Sequence, residues 1–266
     1  MMKAIWLNDI HLEFLDESAL HGFLETLVEA RTDAVLIAGD IGQAFSVAGF
    51  LRRMHDYLGL PIYFVLGNHD YYHGTIASVR EAIQALTTEC PGLHWLNTSG
   101  VVSLTPEVAL VGHDGWADGR LGDYGGSRVE LNDFNLIAEL TRLSKIDRLK
   151  RIAALGDEAA AHFQALLPEA LDAASHVVVL THVPPFMEAA WHNGHHCDAH
   201  FLPFFACCAV GDVLTAAMQQ HPEKHMTVLC GHTHGGGISK ILPNLTVSTG
   251  IAEYGKPIIQ KVFIWA

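Results

Sequence analysis

Cysteine is scarce in this 266-residue chain: five residues, an odd number, with no Cys-x-x-Cys spacing and one adjacent pair, Cys207-Cys208. That excludes a disulfide framework and a zinc ribbon, and it fits a reducing compartment. Charge is also sparse, 17% of residues against about 25% in an average soluble domain, while half the chain is apolar or aromatic. Disorder needs the opposite balance. Basic residues are the scarcer sign: 16 Lys and Arg against 29 Asp and Glu leave a formal charge of −13. Such a field repels polyanions, so a nucleic-acid polymer is not expected as a partner. No apolar run approaches the roughly 18 residues that cross a bilayer. Met1–Leu7 runs straight into Asn8-Asp9, too early for a signal peptide, so no membrane association and a cytoplasmic location are expected.

Histidine is abundant instead, with 18 residues, and it is the commonest metal ligand. Short apolar runs alternate with helical stripes. Ala4–Leu7, Ala34–Ala38 and Ile62–Leu66 read as strands. Between them lie helical spacings at Leu20, Phe23, Leu24 and Leu27, with Asp16 as N-cap, and at Val47, Leu51, Met54 and Leu58. This β-α-β-α-β order implies parallel strands with right-handed crossovers. Leu93–Leu96, Val101–Leu104 and Val108–Val111 read as a meander, and strand signals return at Val177–Leu180, Met226–Leu229, Leu245–Ser248 and Ile258–Ile264. Two packed sheets with helices outside are expected.

Ligands of open α/β sheets bind beyond the carboxyl ends of the strands. The strand ends therefore carry the functional question. Asp9-Ile10-His11 follows the first run, Asp40 the second, Asn68-His69-Asp70 the third, His182 a later one, and His232-Thr233-His234 another. Gly39, Gly67 and Gly231 stand just before three of these groups, where the backbone must turn sharply. Asp9 and His11, and likewise His232 and His234, are two apart, which in extended chain points both side chains the same way. Four His, two Asp and one Asn over-supply a single metal. Shared between two metals through a carboxylate, they leave open positions for water and substrate.

In chain order, Asp9-x-His11, Gly39-Asp40, Gly67-Asn68-His69-Asp70, His182 and Gly231-His232-x-His234 resemble the calcineurin-like metallophosphoesterase superfamily. The resemblance implies an α/β fold, a four-layer α/β/β/α sandwich of two mixed sheets flanked by helices. It implies one domain over residues 1–266, with a lid-like helical insertion at about 115–174. It implies that Asp9, His11, Asp40 and His234 hold one divalent metal and Asp40, Asn68, His182 and His232 a second. His69 would be the catalytic proton donor or charge stabiliser, with Asp70 orienting its ring. The reaction implied is hydrolysis of a small-molecule or nucleotide phosphomonoester or diester by a metal-bridging hydroxide. Mixed N/O ligation suits Mn²⁺, Fe or Zn²⁺. Asp40 is followed by Ile41-Gly42-Gln43-Ala44-Phe45, without the acidic and Arg-containing string of the Ser/Thr protein phosphatase branch. The alternatives are a catalytically silent module on the same fold and a binuclear hydrolase of another substrate. The first would be expected to have lost ligands. A binuclear amidohydrolase would open on His-x-His and use a bridging Lys.

Three further segments border this set in sequence. The stretch His113-Asp114-Gly115-Trp116 either lines the pocket or forms a turn with Trp116 in the core. The insertion offers Arg120, Tyr124, Arg128 and Lys145 as contacts from a lid, or as an exposed helical face. His192, His195, His196 and His200 form a polar lip or an extra metal site.

Overall fold

Parallel pairing between β1 (Met2–Leu7), β2 (Ala34–Ala38), β3 (Ile62–Val65) and β4 (Leu93–Trp95) builds the first sheet in a computed structural model that describes residues 1–266. The connections are α1 (Glu17–Glu29), α2 (Val47–Leu58) and α3 (Ile76–Glu89). The first begins where expected: the Asp16 side chain accepts from the Ala19 N–H. A short helix, α4 (Leu96–Ser99), leads to the antiparallel pair β5 (Val102–Thr105) and β6 (Val108–His113). β4 is not part of a meander with them; it forms the parallel edge of the first sheet, and only β5 and β6 make a hairpin.

Next come α5 (Asp133–Leu136), the long α6 (Lys145–Ala173) and β7 (His176–Thr181). A two-plus-two-residue hairpin, β8 (Trp191–His192) with β9 (His195–His196), precedes α7 (Leu202–Phe205) and α8 (Cys208–Gln220). The chain closes with β10 (His225–Cys230), β11 (Gly237–Leu242), β12 (Leu245–Thr249) and β13 (Lys261–Trp265). The sheets run β13-β1-β2-β3-β4 and β11-β12-β10-β7-β6-β5.

Period-two alternation explains why the sheets stack and helices cover both. In β2, Ala34, Leu36 and Ala38 face the inter-sheet core with Trp6, Val178, Leu180 and Leu229, while Val35 and Ile37 face the layer holding Leu24, Leu27 and Leu51. In β7, Val178 and Leu180 point inward. Val177 and Val179 point out to Phe163, Leu167, Leu171 and Leu214 of α6 and α8. Strands buried on both faces read as continuous apolar runs, as these do. The four layers expected from sequence are present.

The stretch expected as a helical lid divides in two. Ile152, Leu155, Ala159, Phe163, Leu167 and Leu171 are buried, so most of α6 is the covering layer of the molecule, its apolar stripe packed inward. Of residues 115–144, Gly115–Ala117 and Glu130–Phe134 line the cavities at the strand ends. His73 N–H donates to the Leu136 carbonyl at 2.8 Å and Gly74 pairs with Ile137, docking this segment on the loop after β3.

Candidate metal centre

The carboxyl ends of β1, β2 and β3 in one sheet meet those of β7 and β10 in the other, and the strand-end residues converge there. They do not arrive by extended chain. Asp9, His11, Asp40, His232 and His234 all have left-handed backbones, with φ of 46°, 40°, 52°, 68° and 57°. For residues other than Gly this costs about 1–2 kcal/mol each, and such strain persists where surrounding contacts fix it. Here they do: Asp9 N–H donates to Gly39 O at 3.0 Å, His11 N–H to Asp40 O at 2.9 Å, and His232 N–H to Asp9 Oδ1 at 2.9 Å. The x between each ligand pair is a tight turn rather than a strand position. Glycine is required beside them: a Cβ at Gly67 would overlap Asp40 Oδ1, and one at Gly231 would overlap Asp9 Oδ2.

One group gathers Asp9, His11, Asp40 and His234, with one donor atom from each within 4.8 Å of the others. His11 Nε2 lies 3.2 Å from His234 Nε2 and 3.7 Å from Asp40 Oδ2, and His234 Nε2 lies 3.5 Å from Asp9 Oδ1. A second group gathers Asn68, His182 and His232. His182 Nε2 and His232 Nδ1 approach Asn68 Oδ1 to 3.0 and 2.9 Å and each other to 3.2 Å. Asp40 touches both groups, its Oδ1 standing 3.5 Å from His182 Nε2.

The second group tests whether a cation fits. His182 Nδ1 faces the Ala38 carbonyl at 2.9 Å and His232 Nε2 faces the Phe204 carbonyl at 2.9 Å, so both of these nitrogens must carry the proton. Burial pushes both imidazoles below their usual pKa, His232 to about 4 with His182 adding to the effect, so the rings are neutral near pH 7. The inward nitrogens then hold lone pairs. Asn68 spends its amide N–H groups on Asp133 Oδ1 at 2.9 Å and the Tyr72 hydroxyl at 3.2 Å, which turns its carbonyl oxygen inward as well. Three acceptors aimed at one point with no hydrogen between them fit a cation and little else. The shared carboxylate, Asp40, speaks the same way. Burial, with the neighbouring Asp9 and Asp70, raises the Asp40 carboxyl well above its usual range, a cost that a positive charge between them would remove.

His69 borders the cavity, its ring stacked on Tyr72 at 4.2 Å and edge-on to His11 at 4.6 Å. Its backbone N–H donates to Asp40 Oδ1 at 2.9 Å. Burial first, then His11 and His182, lowers its pKa to about 2. Asp70 does not orient that ring. Its carboxylate accepts from the N–H groups of Ile41 and Gly42 through Oδ1 and of Gly67 through Oδ2, at 2.8–2.9 Å. It ties the loops after β2 and β3 together, because three backbone donors converge where no water reaches.

Three residues that border the site, Asp133, Glu13 and Tyr254, were not singled out from sequence. Asp133 is buried and accepts from Asn68 and, at 2.7 Å, from the Tyr72 hydroxyl. Glu13 lies 3.6 Å from His11 Nδ1 and within 4.8 Å of a His69 nitrogen, with neither of its carboxylate oxygens otherwise partnered. The Tyr254 ring sits 4.6 Å from that of His11 and 5.1 Å from that of His234. Only for Glu13 was there a signal, an acid two residues beyond a ligand. The other segments divide: Gly115 and Trp116 line a narrow cavity together with Asn68, His182 and His232, while Asp114 is spent on holding the structure. Asp114 accepts from Leu66 N–H, Trp95 Nε1, Tyr71 Oη and Asn97 Nδ2, and Trp116 is buried. In the His-rich hairpin only His192 faces the cavity; His195, His196 and His200 are exposed and gather no ligands.

The calcineurin-like phosphoesterase family profile matches residues 2–236, a span that includes every residue of both groups. The chain belongs to that family. It is accordingly a metal-dependent hydrolase of phosphoesters. Among solved structures, it is similar to phosphopantetheinyl hydrolase from Mycobacterium tuberculosis (TM-score 0.64, 12% identity, 95% of this chain and 90% of that one). It is also similar to a dimetal phosphatase from Danio rerio (0.59, 12%, 96% and 89%) and to TT1561 of Thermus thermophilus (0.56, 15%, 94% and 89%). At these identities the likeness is one of fold. No curated protein matches the sequence. No helix is long and apolar enough to cross a membrane.

Proposed function

We propose that this phosphoesterase holds two divalent cations, one with Asp9, His11, Asp40 and His234 and one with Asp40, Asn68, His182 and His232. Asp40 is shared. The reading rests on the three lone pairs that converge from Asn68, His182 and His232 beside a second cluster joined to them by one carboxylate. Imidazole and carboxylate donors together suit Mn²⁺, Fe or Zn²⁺ better than Mg²⁺ or Ca²⁺. Cations bound by these residues would supply Lewis acidity toward a phosphoryl oxygen and would make water acidic enough to serve as nucleophile near pH 7.

The protein's own groups supply the rest. Asp70 clamps the loops carrying Asp40 and Asn68, so the spacing of the two sites is fixed before substrate arrives. His69, kept neutral, donates a hydrogen bond rather than a proton and stabilises charge on the phosphoryl or departing oxygen. The cavity of about 350 Å³ bordered by Asp40, His69, His232 and His234 admits a small-molecule phosphomonoester or diester. The named activities of the phosphopantetheinyl hydrolase and the dimetal phosphatase agree with that class of substrate.

The test is metal analysis of the purified chain with turnover of a chromogenic phosphodiester. Two ions per chain, and loss of both turnover and one ion in Asp40→Asn, are expected. Wild-type turnover by Asp40→Asn would sink the assignment.

A further inference from the structure

Beyond the ligand groups, the cavity opens into a second one of about 690 Å³, the two sharing His192, Thr233, His234 and Tyr254 as common wall. A phosphoester whose phosphorus lies at the ligand groups can extend its alcohol across that shared wall into this trough. The trough is poor in free cations. The Lys256 ammonium is held 2.6 Å from Glu253 Oε1, so that pair sums to zero. Glu130, which lines the first cavity, is paired with Arg148 at 3.2 Å. Two of the insertion's cations serve elsewhere, Arg120 binding Asp118 and Asp157 and Lys145 donating to the carbonyls of Gly125 and Ser127, while the exposed Arg128 lines neither cavity. Asp133 remains, facing the site as an acid.

What the second cavity offers is apolar and aromatic surface. Ile251, Tyr254 and Ile258 line it while 54%, 48% and 47% exposed, large side chains left in contact with water around one opening. Resting on the phosphoesterase reading, the geometry points to a substrate with a single phosphate and an uncharged, aromatic or apolar alcohol seated against Tyr254, Ile251 and Ile258. A second phosphate or a carboxylate on that alcohol would meet Glu253 with no unpaired Lys or Arg lining the trough to receive it, inside a molecule already at −13. Nucleoside polyphosphates and sugar bisphosphates are therefore disfavoured substrates.

Two aryl phosphates matched in size but not in charge test this, 4-carbamoylphenyl phosphate and 4-carboxyphenyl phosphate, on the metal-loaded full chain. The neutral ester is expected to have a kcat/KM about fivefold or more higher, expressed in KM, a difference that shrinks with added salt. Glu253→Gln frees Lys256 and is expected to narrow the gap by improving the carboxylate ester. Tyr254→Ala is expected to raise KM for the neutral ester several-fold. Equal kcat/KM for the two esters, or an unchanged gap in Glu253→Gln, overturns the charge preference and leaves the phosphoesterase reading standing. An unchanged KM in Tyr254→Ala overturns the seat. No turnover of these two esters or of a chromogenic phosphodiester with two ions bound overturns the proposed function and this inference together.

Discussion

The carboxylate of Asp133 accepts a hydrogen bond from the side-chain amide of Asn68 at 2.9 Å, and this contact decides which end of that amide faces the proposed second metal. The Tyr72 hydroxyl donates to the same oxygen at 2.7 Å and holds the acid in place. With Asp133→Asn the partner is no longer an obligate acceptor, and the Asn68 amide can turn its nitrogen inward. We expect a 10–100-fold weaker affinity for one of the two ions, the size of effect typical when the group orienting a ligand is lost. Tyr72→Phe should give a smaller loss of the same kind. Titrating the apo protein with Zn²⁺ or Mn²⁺ checks it; two unchanged affinities in Asp133→Asn would remove the role.

His69 and Asp70 are adjacent, and their substitutions should fail in different ways. His69→Ala should retain both ions and the fold but lose about 10²–10⁴ in kcat, the range for a positioned acid, base or donor. Asp70→Asn puts an NH₂ against one or more of three backbone N–H donors in a site closed to water. That should cost roughly 2–4 kcal/mol of stability, read as a lower urea midpoint, with metal affinity falling in parallel. If Asp70→Asn kept the urea midpoint and lost only turnover, the carboxylate would be acting on chemistry and not on the loops.

Most of the strands, the stripes of α1, α2 and α6, and the seven strand-end residues that the structure gathers at one place were legible in the sequence, for physical reasons. Doubly buried strands such as β2 and β7 are continuous apolar runs, and a polar residue just past such a run has to be explained. β11 was not legible: it begins at glycine and lies at a sheet edge, with Ile238 and Lys240 exposed and the small polar Ser239 buried, the reverse of the apolar-in pattern that marks a strand. Asp133 was invisible because its meaning lies in a contact 65 residues away in sequence. The neighbour relation of His69 and Asp70 misled, since adjacent side chains on a tight turn point apart: one reaches the cavity and the other turns back onto the amides behind it.

His113 isolates one pH effect away from the metal ligands. Its Nδ1 accepts the Gly115 N–H at 3.0 Å, and its ring is packed against His162 and Phe163. Burial, followed by His162 and Arg80, lowers its pKa to about 3, with Glu158 opposing. The unfolded chain binds this proton near pH 6.5 and the folded chain does not. Stability from His113 is therefore full above about 6.5 and is lost as pH falls toward 3, with a slope of at most about 1.4 kcal/mol per pH unit. His113→Asn should flatten the stability profile over that window. Urea midpoints of both proteins at pH 7.5, 6 and 5 measure the difference; parallel profiles would contradict it.

Glu13 and His11 face each other at 3.6 Å with His11 Nδ1 and both Glu13 carboxylate oxygens unpartnered, although the Glu13 side chain is only 11% exposed. Buried polar atoms are seldom left so, and closing that gap by well under 1 Å makes an Nδ1–H to carboxylate hydrogen bond. The bond would fix the tautomer that leaves Nε2 free toward Asp40 and His234, and make that nitrogen the more basic ligand. Glu13→Ala should then weaken one ion about tenfold or more, Glu13→Gln, which can still accept through its carbonyl, should weaken it less, and both should leave the ion at Asn68, His182 and His232 untouched. A residue that merely filled space would show no difference between alanine and glutamine in metal affinity once stability is matched, so the ratio of the two affinities is the measurement that decides whether Glu13 acts through His11.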